Sequence, residues 1–115
     1  MSTPLVHLEV TGQDGSKLQS FFSDLFGWQL DADNQMNYGV GMLNDAVGVG
    51  VGPAPEGPGA STFYIKVDSV EGSLAKAESL GGSRVMGPMD VPEGPTIGLF
   101  ADPEGHMVGV FTPPS

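Results

Sequence analysis

The sequence predicts an α+β chain of two βαβββ modules whose curved mixed sheets surround a cavity, and three observations carry that prediction. A segment of alternating apolar and polar residues is followed by an amphipathic helix and three short strand signals. After a stretch rich in Pro and Gly, the same order begins again. An offset that lays Thr62 on His7 also lays Ile65 on Val10, Leu80 on Leu25 and Gly82 on Gly27.

In the first module, about residues 4–51, Leu5, His7 and Glu9 alternate with Val6, Leu8 and Val10, the pattern of a half-buried strand with its apolar face under a helix. The spacing of Leu18, Phe21, Phe22, Leu25 and Phe26 predicts that helix over residues 15–26, with Gly27 as its stop. Strands are predicted near residues 28–32, 36–43 and 46–51, separated by the turn signals Asp33-Asn34 and Asn44-Asp45. Residues 52–60 read as a linker, because three prolines and three glycines fall between positions 52 and 59. The second module, about residues 61–113, reads as a strand over 61–67, a helix over 70–80 ending at Gly81-Gly82, and strands near 84–89, 96–101 and 107–112. In each module the helix protects one sheet face and leaves the other uncovered, so pairing two modules makes a cavity. The chain is expected to form one domain over residues 1–115 and to associate as a homodimer, since such modules can pair within or between chains.

A balance of 14 acidic against 4 basic residues gives a net charge of −10, which repels nucleic acid and anionic membranes and attracts cations. No nucleic-acid or membrane partner is expected. The absence of cysteine excludes disulfides and thiolate metal sites. There is no apolar run long enough to span a membrane, and Met1-Ser2-Thr3-Pro4 lacks a basic, then apolar, leader pattern, so a cytoplasmic location is expected. No nucleophile elbow, phosphate-binding loop or dinucleotide fingerprint is present.

Several stretches together resemble the vicinal oxygen chelate superfamily of glyoxalases, bleomycin resistance proteins and extradiol dioxygenases. They are His7 to Trp28, with Asp14 before the helix and Phe26-Gly27-Trp28 after it, and Leu99-Phe-Ala-Asp-Pro-Glu-Gly-His-Met-Val-Gly-Val-Phe111, joined by Tyr64-Ile-Lys-Val-Asp68 and Ala75-Lys-Ala-Glu-Ser-Leu-Gly-Gly82. The resemblance implies the paired-module fold. It also implies that metal-dependent members hold a divalent ion on His and Glu side chains from the first and last strand of each module. His7 matches the first of those positions. Thr62 stands at its counterpart in the second module, Gly109 at the last-strand carboxylate position, and Val47-Gly-Val-Gly-Val51 supplies no ligand in the first module. The expectation is therefore a branch with a degenerate metal site, with no metal and no cofactor.

The strand period places Glu9 beside His7 and aligns Thr62, Tyr64 and Lys66 on the equivalent strand; Met107 and Phe111 share a face with Gly109. With Trp28, Tyr38 and Met42 these form the expected ligand-binding set, a few polar groups among apolar walls. Trp28 and the methionines read more readily as core than as ligand contacts, Gly48, Gly50 and Gly109 read either as widening the cavity or as permitting close packing, and His106 reads as a turn residue. The expected function is metal-independent binding of a small organic molecule, such as an aromatic or cationic natural product, as in the bleomycin-resistance branch. Two alternatives stay open: a lyase, isomerase or dioxygenase-like enzyme using His7 and Glu9 or a divalent metal, and a scaffold that serves only for interaction.

Overall fold

The computed structural model describes residues 4–114; residues 1–3, part of the leader reading above, lie outside the described residues. The elements are β1 (Leu5–Gly12), α1 (Gly15–Phe26), β2 (Gly39–Met42), β3 (Gly48–Pro53), β4 (Ser61–Lys66), α2 (Val70–Ser79), β5 (Ser83–Asp90), β6 (Thr96–Ala101) and β7 (Met107–Thr112). The chain divides into two compact units, residues 6–62 and residues 63–114 with 4–5. This is an α+β fold of the expected repeating order.

Within residues 6–62, α1 starts where Asp14 accepts a hydrogen bond from the Lys17 backbone N–H at 3.0 Å. It ends at Gly27 in a left-handed cap whose N–H donates to the Ser23 carbonyl. β1 runs parallel to β3, pairing His7 with Gly48, Glu9 with Gly50 and Thr11 with Gly52, while β2 joins the other edge of β3 antiparallel. Val49 and Val51 are buried, and Gln19 of α1 donates to the Val51 carbonyl at 2.8 Å.

Two expectations are corrected here. The predicted strand at 28–32 reduces to one bridge, Asp31 with Val40, because Trp28 stacks on Phe22 of α1 at a ring separation of 5.2 Å and keeps the segment against the helix end. The predicted linker is shorter and tethered. Gly52 and Pro53 belong to β3, the Ala54 N–H donates to the Gly12 carbonyl, and the Thr11 N–H donates to the Ala60 carbonyl.

Within residues 63–114, β4 runs parallel to β7, followed by antiparallel β6 and β5. The parallel pairing of first and last strands thus recurs in both units. Ser69 caps α2 by accepting from the Gly72 N–H at 2.9 Å, and Val70 and Leu74 of that helix pack with Val110 as the core. Arg84 binds both oxygens of Glu71, at 2.8 and 2.7 Å, and so ties β5 to α2.

Candidate functional site

On β1 the two-residue period puts His7 and Glu9 on the face away from α1. Their neighbours on β3, Gly48 and Gly50, contribute no side chains, so this face begins as a bare floor. The connection between α1 and β2 fills it with Tyr38. Its ring crosses Gly50, and a Cβ added to that glycine would fall on the Tyr38 hydroxyl. The hydroxyl donates to Glu9 Oε2 at 2.9 Å and lies 3.0 Å from His7 Nε2. Met42, largely exposed, and Val40 pair with Gly48 and Gly50 and add an apolar flank.

The phenol has one proton and gives it to Glu9, so its oxygen accepts from His7 Nε2–H; this network assigns the Nε2–H tautomer to the neutral ring. Burial lowers the His7 pKa from its ordinary value of 6.5, since the charged ring would lose hydration. An unfolded chain therefore takes up this proton at a higher pH than the native one. The stability that His7 contributes is complete above about pH 6.5 and declines as pH falls through the lower native pKa. NMR titration of the His7 ring in the native protein is expected to give a midpoint below 6.5; a midpoint above it would contradict this burial.

The candidate metal donors of this face are His7 and Glu9. His7 and Glu9 are both engaged by the Tyr38 hydroxyl, and a carboxylate at position 50 would need the space that the phenol holds. Among the described residues, no three His, Asp or Glu side chains gather as a metal-holding group.

Tyr64 pairs with Gly109 across β4 and β7, and a Cβ on Gly109 would strike its ring. This glycine, like Gly50, is roofed by a tyrosine, so neither widens a cavity. Lys66 and Phe111 pair two residues further on, with Lys66 exposed, and Met107 is half-buried opposite Ala101. Thr62 is buried, at 6 % exposure. Trp28 lies against Phe22 and Phe26 at the end of α1, away from the His7 face. His106 closes a surface turn, its Nδ1 3.0 Å from Asp102 Oδ2. Hydrogen bonds from His106 and Glu104 hold the Asp102 carboxyl below the usual range. A hollow of about 370 Å³ opens on the opposite, helix-covered side of residues 63–114, among Ile65, Ala77, Leu80, Phe100 and Val110, and holds none of the predicted contacts.

Sequence reasoning gave Tyr38 no partner. The available signal was the pair Gly48 and Gly50 beside polar β1 residues, a floor that some distant side chain had to cover.

Among the described residues no helix is long and apolar enough to cross a membrane. The chain is 33% identical over 116 residues to CFP32 of Mycobacterium bovis, provisionally named a glyoxylase; the match covers 92% of this chain and 43% of that protein. The chain thus spans less than half the length of this relative. A superfamily member from Vibrio splendidus 12B01 matches with a TM-score of 0.66 at 18% identity, covering 96% of this chain and 99% of that one. The Streptomyces coelicolor methylmalonyl-CoA epimerase bound to 2-nitronate-propionyl-CoA matches with a TM-score of 0.68 at 16% identity, covering 97% and 95%. These two likenesses show the fold. The family model for the Glyoxalase/Bleomycin resistance protein/Dioxygenase superfamily matches residues 5–110, and the chain belongs to that superfamily.

Proposed function

We propose that this chain binds a small organic molecule, without a resident divalent metal, on the sheet face that carries His7, Tyr38 and Glu9. The observation that supports this reading is the Tyr38 hydroxyl, which joins the imidazole and the carboxylate and covers Gly50. The face offers a short polar strip flanked by Val40 and Met42, a mixture suited to an aromatic ligand with a few polar atoms. The net charge of −10 favours a cationic ligand over an anionic one. The activity of CFP32 and the thioester ligand of the epimerase belong to those proteins, and neither is carried over.

Native mass spectrometry with elemental analysis tests the reading. The expected result is a metal-free homodimer carrying an organic adduct or accepting a cationic aromatic probe. A stoichiometric divalent ion in the purified protein would sink the proposal.

A second reading is favoured by one observation, the unbroken hydrogen-bonded path His7 to Tyr38 to Glu9. In a lyase or isomerase such a path lets an imidazole and a carboxylate exchange a proton with the substrate without a metal. Under this reading His7→Ala abolishes turnover while ligand binding persists.

A further inference from the structure

We propose that Tyr38 is the residue that closes this face to divalent ions: its hydroxyl occupies the position between His7 and Glu9 that an ion would need, and Gly50 is the seat that lets it do so. The inference rests on the metal-free reading above and adds the device that enforces it.

His7 and Glu9 sit two residues apart on β1 and face the same way, so by themselves they make a two-donor start to a metal site. The Tyr38 hydroxyl is hydrogen-bonded to both, at 3.0 Å and 2.9 Å. An ion approaching them must first displace a neutral phenol, which is a poor ligand for divalent metals while it keeps its proton. Finally, Gly50 has no side chain, and only that absence leaves room for the phenol, since even a methyl group would meet its oxygen.

The same exchange recurs in the other unit. Gly109 holds on β7, opposite Tyr64 of β4, the register position that Gly50 holds on β3, opposite Glu9 of β1. Each glycine is covered by a tyrosine ring, one arriving from a loop and one from the neighbouring strand. A glycine paired with a covering tyrosine is thus a repeated device in this chain.

The test uses untagged protein carrying His106→Ala, which leaves His7 as the sole histidine of the two in the chain. Zn²⁺ is titrated while the His7 ring signals are followed by NMR. In this background the ring is expected to be unmoved by excess Zn²⁺. Adding Tyr38→Phe should give saturable His7 shifts, with apparent affinity raised at least about tenfold, in the range by which groups around a metal site change affinity. Gly50→Ala keeps the hydroxyl but denies it its seat, so it should give the same gain; it carries the test if Tyr38→Phe does not fold. Two outcomes overturn the proposal, and they are distinguishable. If the background protein is unresponsive and neither variant gains affinity, the shielding role fails while the metal-free reading stands. If Zn²⁺ binds stoichiometrically at His7 with Tyr38 and Gly50 intact, both fail.

Discussion

Leu74→Ala is expected to lower the unfolding free energy by about 3 kcal/mol, within the range of about 2–5 kcal/mol for truncating a buried leucine. Leu74 is 0 % exposed, in the middle of α2, with Val70 and Val110 against it and Val67 and Phe100 around the cluster. Truncating its isobutyl group to a methyl loses the transfer free energy of three buried carbons and leaves a hole that a helix fixed by its Ser69 cap and by the Arg84–Glu71 pair cannot collapse to fill. Urea unfolding followed by circular dichroism measures the change. A loss below about 1 kcal/mol would mean that the α2 end of this core repacks freely.

Gly59→Ala is expected to cost a similar amount, about 3 kcal/mol, for a different reason. Gly59 has φ +84°, where an alanine is penalised by about 1–2 kcal/mol. Its added Cβ would also meet the carbonyl group of Thr11. That neighbour is backbone held in β1 and cannot swing aside, so overpacking adds about 1–3 kcal/mol. Gly57→Ala is the control, because Gly57 has φ +74° with nothing within 4 Å of the added methyl. It should show the conformational penalty alone, and the difference between the two variants isolates the contact with Thr11. Equal losses would show that the tether to β1 yields.

The span of α1 was legible because it is written in local chemistry, the apolar stripe and the Gly27 stop, while the Asp14 cap at its start is added by the structure. The repeat was legible because strand and helix periods alternate in the same order twice. The segment at 28–32 misled because Trp28, Leu30 and Ala32 alternate as a strand does, while the ring of Trp28 is claimed by Phe22 and Phe26. The linker misled because three prolines and three glycines in eight residues argue against regular structure from position 52 on, whereas Gly52 and Pro53 end β3 in register with Thr11 and Gly12. For the candidate site, the common face of His7 and Glu9 follows from β1 alone. Tyr38 reaches them from a loop 29 residues beyond Glu9, a contact that no local periodicity encodes.

That loop is held in place from several sides. Asn34 accepts from the Tyr38 N–H through Oδ1 and donates to its carbonyl through Nδ2, Gln19 donates to the Asn37 carbonyl, and the Asn37 amide donates to Ser16. Ordering one residue of free chain costs about 1–2 kcal/mol. Here that entropy loss is met during folding, before any ligand arrives. On the proposed reading, association at this face is then governed by desolvation and fit, with a rate free of loop closure and a selectivity set by a phenol ordered before the ligand arrives.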